Sequence, residues 1–352
     1  MKLKDYIALN RQALENEILS YLEAKQQEFS DKSLYLDSTN KIIETVTGGK
    51  LIRGLLVLLA YDSKMNKISD DALKLATAIE LIHTGLIIHD DIMDNDQLRR
   101  GKPTVFSQAI RDGERSHADN PKEYGNAVAI CIGDLTFFMA HELIGGIKDE
   151  SHGLRILRIV SQELQKVGYA QISDIHFGIN KAEPSEEEIV ALYRLKTARY
   201  SFSLPLKIGG ILAGYDSQVI EKFEKFGEAV GIAFQIKDDE LGIFGKENVL
   251  GKSLGSDIRE NKKTLIRHML INSADKIDKK YLLGIFGKNT LTKKDVLTVG
   301  KYMKKYNVVE LVREIREEKA NEAKKILHDT DLPGEYKSVF LDLVNFTNNR
   351  DK

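Results

Sequence analysis

Proline is nearly absent from this chain. The five present are Pro103, Pro121, Pro184, Pro205 and Pro333, so residues 1–102 and 206–332 contain none. Proline removes a backbone donor and breaks helix interiors, so long stretches without it, rich in Leu, Ile, Ala, Lys and Glu, favour helix. In the first of them Ile7, Leu14, Ile18 and Leu22 recur at helical spacing. Ser185 and Glu188, directly after Pro184, form a capping box that predicts a helix start. No stretch alternates between apolar and polar residues with hairpin turns at its ends. The pattern predicts an all-α protein of ten or more helices in a single domain spanning 1–352, with no internal repeat. The polar segment 111–125 and the glycine-rich segment 242–255 predict loops. Pro205 predicts a kink in the helix carrying Lys196 and Thr197.

Lys and Arg total 52 against 53 Asp and Glu, a net charge of -1, which argues against a general nucleic-acid binder. The N-terminal residues carry charges throughout and lack the apolar core of a signal peptide. No window approaches the roughly 18 consecutive apolar residues of a spanning helix. The expectation is a soluble, cytoplasmic protein without a membrane span. The sole cysteine, Cys131, cannot form an intrachain disulfide, which suits a reducing compartment. Its place in the apolar run 127–132 predicts a buried thiol.

A mostly apolar helix over 71–88 leads into the string His89-Asp90-Asp91-Ile92-Met93-Asp94. Asp90 and Asp94 share one face, one turn apart. No basic residue lies inside the group to relieve the repulsion among Asp90, Asp91 and Asp94. A divalent cation would relieve it, and magnesium commonly bridges carboxylates to substrate phosphates. Alone, such a motif is as well read as a solvated acidic helix end. Arg99-Arg100-Gly101 follows shortly, and arginines beside carboxylates suit a phosphate shared by both.

The theme recurs at Asp238 and Asp239, after an apolar segment and before Lys252, Asp257 and Lys262-Lys263-Thr264. On facing helices the two clusters would clamp one diphosphate through metal ions. A third, basic motif is Gly48-Gly49-Lys50-Leu51-Ile52-Arg53-Gly54. Lys50 and Arg53 stand three apart, able to point the same way, and the glycines allow close approach to an anion.

These residues resemble the trans-isoprenyl diphosphate synthase (polyprenyl synthetase) family, broadly over residues 44–265, with a geranylgeranyl diphosphate synthase-like pattern. The first aspartate-rich motif is Asp90, Asp91 and Asp94 with Arg99-Arg100-Gly101; the second is Asp238 and Asp239 in a Phe-Gln-x-x-Asp-Asp string. Gly49-Lys50-x-x-Arg53 resembles the isopentenyl diphosphate motif, with His83 as its helical partner. Lys196-Thr197, Gln235, Lys252, Lys262, Gly133-Asp134 and Gln171-x-x-Asp174 match further signatures. Gly242 replaces the last aspartate of the second motif, Gly54 stands where many members have proline, and Leu51 where many have arginine.

The resemblance implies an all-α bundle around a central cavity, of isoprenoid synthase type, acting as a homodimer. It implies condensation of isopentenyl diphosphate with an allylic diphosphate to an all-trans prenyl diphosphate. Magnesium, three ions with substrate bound, would be held by Asp90, Asp91, Asp94, Asp238 and Asp239. Arg99, Lys196 and Lys262 would contact the leaving pyrophosphate, whose growing charge the transition state creates. Thr197 and Gln235 would stabilise the allylic cation by dipoles. Lys50, Arg53, His83 and Arg100 would hold isopentenyl diphosphate, with Lys252 as a further cation.

Product length is expected to depend on the helix that carries Asp90. Gly85 lies about 7–8 Å deeper at 1.5 Å per residue. An aromatic at Gly85 or Leu86 would block the tail, and neither is aromatic. The expected product is therefore longer than farnesyl, geranylgeranyl first, with Ile82 as a possible limit one turn further. Farnesyl and longer-chain synthesis remain alternatives. A terpene cyclase would not need Lys50, Arg53 and His83, and a non-catalytic regulatory subunit would be expected to lose an acidic cluster.

Overall fold

The structure is a computed structural model that describes residues 1–28, 32–180, 182–245, 255–288 and 290–349. In chain order its helices are α1 (Leu3–Glu28), α2 (Lys32–Thr47), α3 (Ile52–Met65), α4 (Asp70–Met93), α5 (Val105–Arg115), α6 (Pro121–Gly145), α7 (Glu150–Ile179) and α8 (Glu186–Tyr193). A π-helical stretch (Arg194–Ser203) leads into α9 (Leu204–Leu212) and α10 (Ser217–Phe244). There follow α11 (Ser256–Arg259), α12 (Leu265–Ser273), α13 (Lys276–Leu283), α14 (Lys293–Lys305), α15 (Val308–His328) and α16 (Gly334–Asn349). The sheet among the described residues is one hairpin, β1 (Leu98–Arg99) with β2 (Lys102–Pro103). The all-α expectation holds.

Two compact units emerge, Met1–Ile159 with Pro205–Asp216, and Val160–Leu204 with Ser217–Lys352. In the first, α4 is the central element and packs against α3 and α6. Ser69 caps it by accepting the Ala72 N–H, and its buried residues include Leu75, Ile79, Leu81, Ile82 and Ile88. Leu14, Ile18 and Leu22 of α1 are fully buried, whereas Tyr6 rather than Ile7 completes the stripe. The second unit is built on α10, whose Ile232 and Ile236 join a core with Ile189, Ile258, Leu265 and Val299.

Several local expectations change. The segment 111–125 is not a loop: α5 runs to Arg115, and α6 begins at Pro121. Asn120 accepts the Glu123 N–H, so Asn120-Pro121 is a helix cap followed by proline at the first helical position, where its missing donor costs nothing. Gly242 lies inside α10 rather than at the start of a loop. The capping box at Ser185 is present. Near Pro205 the chain stays helical, and the irregularity is the π stretch, where the Leu204 N–H reaches back to the Arg199 carbonyl. Cys131 is exposed rather than buried, because the helix turns Ile132 and Gly133 inward instead. Two helices, Asp70–Met93 and Pro121–Gly145, are long and apolar enough to cross a membrane by length and composition; the first is mostly buried within the protein.

Candidate active site

The acidic end of α4 and the hairpin after it are built together. The two residues at the hairpin tip, Arg100 (φ 55°) and Gly101 (φ 77°), are both left-handed, as a two-residue turn matching strand twist requires. The glycine of the Arg-Arg-Gly string serves that turn. The hairpin returns Arg99 to the acids: its Nε donates to Asp91 Oδ1 at 2.6 Å, and its Nη2 lies 3.8 Å from Asp90 Oδ2 and 3.6 Å from Asp96 Oδ2. Repulsion among the acids is thus relieved in part by a cation from just outside the motif.

The three aspartates are not equivalent. Asp91 is 2% exposed, and burial pushes its carboxyl up to about 6 despite Arg99. Asp90 and Asp94 stay partly exposed. His89 is packed over Gly133, where any Cβ would fall 2.3 Å from its Nε2. This accounts for the glycine of Gly133-Asp134.

The basic motif lies in the same unit. Leu51 is left-handed (φ 52°), and α3 starts only at Ile52. Lys50 and Arg53 are therefore not a helical pair, since the reversal at Leu51 places Lys50 before the helix. Arg100 reaches this loop: a Cβ on Gly49 would stand 3.2 Å from Arg100 Nη1. His83 is held well below its ordinary value by burial and by the guanidiniums of Arg53, Arg100 and Arg99, so its imidazole stays neutral. The charges of Arg53, Arg100 and Arg99 thus all act on His83. Glu44, Thr45, Gly48, Asp91, Arg99 and Arg100 line one pocket.

In the second unit, Thr197 Oγ1 donates to Gln235 Oε1 at 2.8 Å, and Gln235 Nε2 donates to Asp239 Oδ1 at 2.8 Å. Tyr193 donates to the other Asp239 oxygen. Asp239 is 4% exposed, and burial, with the nearby Asp257, raises its carboxyl to about 8. Asp238 is partly exposed. Lys196 bonds Asp174, the aspartate of the Gln171-x-x-Asp174 signature. Lys262 Nζ lies 3.0 Å from Glu260. Lys252 lies outside the described residues. At Gly242 a Cβ would come 3.2 Å from Asp257 Oδ2, so a carboxylate from α11 borders the place where the family's last aspartate would project.

The five aspartates expected to hold magnesium differ in their surroundings: Asp91 and Asp239 are buried against protein partners, whereas Asp90, Asp94 and Asp238 are partly exposed. Among the described residues no three His, Cys, Asp or Glu side chains are grouped so as to hold an ion alone. Magnesium keeps several waters and takes phosphate oxygens, so an open set of carboxylates suits it. The product-length expectation also changes. Gly85 faces α6, where a Cβ would lie 2.3 Å from Thr136 Oγ1 and 2.9 Å from the Gly133 carbonyl.

Sequence reasoning passed over Tyr193, Glu80 and Arg11. Glu80 had a signal: an acid within an apolar helix is rarely buried unpartnered. Tyr193 and Arg11 had none, since their partners lie 46 and 38 residues away.

A profile of the polyprenyl synthetase family matches residues 37–303. A short chain isoprenyl diphosphate synthase from Methanocaldococcus jannaschii is 34% identical over 279 residues, 79% of each chain. A geranylgeranyl diphosphate synthase from Saccharolobus solfataricus is 33% identical over 265 residues, 74% of each. The crystal structure of a geranylgeranyl pyrophosphate synthase from Corynebacterium glutamicum, complexed with isoprenyl diphosphate and magnesium, has 25% identity and a TM-score of 0.91, covering 99% of this chain and 100% of that one. With its aspartate-rich, basic and Lys-Thr motifs present, this chain belongs to the polyprenyl synthetase family.

Proposed function

We propose that the protein is a magnesium-dependent prenyltransferase that joins isopentenyl diphosphate to an allylic diphosphate, giving an all-trans prenyl diphosphate, with geranylgeranyl diphosphate as the main product. The observation that carries this reading is the pocket lined by Gly48, Asp91, Arg99 and Arg100, within one unit that also bears Arg53, His83, Asp90 and Asp94. A cationic diphosphate site next to open carboxylates fits two diphosphate substrates better than the single one of a cyclase.

Asp90, Asp94 and Asp238 would hold the magnesium ions, three with substrate bound, while Asp91 and Asp239 orient their neighbours. Bound magnesium supplies charge that offsets the negative charge building on the departing pyrophosphate. Arg99 of the first unit and Lys196 and Lys262 of the second would contact the diphosphate, with Lys252 a further cation for substrate. Ionisation leaves an allylic cation that survives only where water is excluded. Thr197 and Gln235, locked to each other by their hydrogen bond, present fixed dipoles to that cation without attacking it. Lys50, Arg53, His83 and Arg100 hold isopentenyl diphosphate so that its double bond attacks. The departing pyrophosphate takes the proton.

The chain is proposed to form a homodimer through the outer face of α6, where Phe138 (70%) and Ile130 (45%) are exposed beside Cys131. We place it in the cytoplasm as one polyprenyl synthetase domain. The test is incorporation of isopentenyl diphosphate by the purified chain alone, with each allylic primer in turn, with and without magnesium. Activity without a partner excludes a regulatory subunit. A cyclised hydrocarbon, or no magnesium requirement, would overturn the reading.

A further inference from the structure

Helix α3 begins without a cap of its own: Leu51, in the capping place, is left-handed and makes no side-chain bond. The first N–H groups of a helix have no partner within it, and a buried one must find a partner elsewhere. Here the partner comes from α4. Glu80, 3% exposed, accepts the Gly54 N–H on Oε1 at 2.7 Å. A chain with proline at position 54 would have no such donor. The contact is close, since a Cβ on Gly54 would lie 3.1 Å from Glu80 Cγ, 2.7 Å from Leu14 Cδ2 and 3.0 Å from the Ala76 carbonyl. At the other end of the loop, Arg11 Nη2 donates to the Gly49 carbonyl at 2.9 Å. The strained Leu51 is therefore held between two anchors, one at Gly49 and one at Gly54. Arg53 immediately precedes the second anchor. Glu80 also lies close enough to Arg53 and Arg100 for their charges to act on its carboxyl.

We propose that Glu80 is a positioning residue for the homoallylic diphosphate: by accepting the Gly54 N–H it fixes the first turn of α3 and with it the direction of Arg53. The proposal rests on the reading of the basic pocket as the isopentenyl diphosphate site.

Two conservative variants separate the bond from the charge. Glu80→Asp keeps the charge but is one methylene too short to reach Gly54. Glu80→Gln loses the charge but keeps an acceptor oxygen at the right length. KM for isopentenyl diphosphate, KM for the allylic substrate and kcat are measured for the wild type and both variants, with circular dichroism and thermal unfolding to verify folding. The expected result is a rise of about tenfold or more in KM for isopentenyl diphosphate in Glu80→Asp, with kcat and the allylic KM within about threefold of wild type. Glu80→Gln should stay within about threefold in all three. An unchanged isopentenyl diphosphate KM in folded Glu80→Asp overturns the proposal, as does an equal rise in both KM values. If Glu80→Asp does not fold, Glu80→Gln decides alone: near-wild-type constants support the bond, and a tenfold rise overturns it. A wild-type chain that incorporates no isopentenyl diphosphate overturns the assignment of the pocket and the proposal with it, whereas an active wild type with an unshifted Glu80→Asp overturns the proposal only.

Discussion

Tyr193 donates its phenolic hydrogen to Asp239 while its oxygen accepts the Leu265 backbone N–H at 2.7 Å. The other Asp239 oxygen is taken by Gln235. A carboxylate engaged on both sides holds its neighbours in place, and Asp238, one residue earlier, is partly exposed. Asp238→Ala should lower kcat by roughly 10²–10³. Asp239→Asn should cost about 10–100-fold, as outer-shell partners of ligands do, with Tyr193→Phe in the same direction. Rates across a magnesium titration test this; equal losses in Asp238→Ala and Asp239→Asn at saturating magnesium would contradict the division of roles.

Gly85 and Leu86 are adjacent on α4 but face different surroundings. Gly85 is buried against Thr136 and the Gly133 carbonyl of α6, while Leu86 is partly exposed. Gly85→Phe must push α6 away, and overpacking of this kind costs about 1–3 kcal/mol or more. It should lower the melting temperature. Leu86→Phe should shorten the main product with little loss of stability. Product chromatography together with thermal unfolding distinguishes the two, and an unaltered product from Leu86→Phe would remove this wall as the length ruler.

Glu183 ties down a buried cation. Its oxygens accept from Arg267, 2% exposed, and from Lys263 at 3.1 Å, while the guanidinium lies 4.8 Å from the Phe286 ring centre. Burial alone would raise the Glu183 carboxyl, but the bonds from Arg267 and Lys263 outweigh it and hold the group below its ordinary value. A carboxylate with a lowered folded pKa stabilises fully above the unfolded value of about 4.3 and loses that contribution as pH falls through the folded value. Glu183→Gln should therefore lower the melting temperature at pH 7, because it leaves the buried Arg267 without its charged partner. Below about pH 4 its curve should converge on that of the wild type. A constant gap between the curves down to acid pH would show that the ion pair is not the source.

Phe138→Glu places a charge in the exposed apolar face of α6. If that face joins two copies, the variant should weaken association by roughly 30-fold or more, since a central aromatic anchor is commonly worth about 2 kcal/mol. Light scattering across a concentration series measures it. A wild type that is monomeric at every concentration would dismiss the interface.

The helical class was legible from the order of residues. Proline scarcity and apolar periodicity are local, and so are short motifs: the spacing of Asp90 with Asp94 and the pairing of Asp238 with Asp239 singled out candidate acids, whereas Lys196 and Thr197 stood out only through the family resemblance. Loops were read less well where polar residues cap helices, as at Asn120-Pro121, because a cap and a loop use the same residue types.

What the sequence determined by itself was that helices form and that acids and cations cluster near their ends. Which acids open outward, which turn to protein partners, and which glycines mark close helix contacts was decided only in three dimensions. Burial and partner choice depend on residues 26, 46 or 72 positions apart, as at Gly54 with Glu80, Tyr193 with Asp239 and Tyr193 with Leu265. Desolvation acts through whatever surrounds a side chain, and no local pattern records those surroundings.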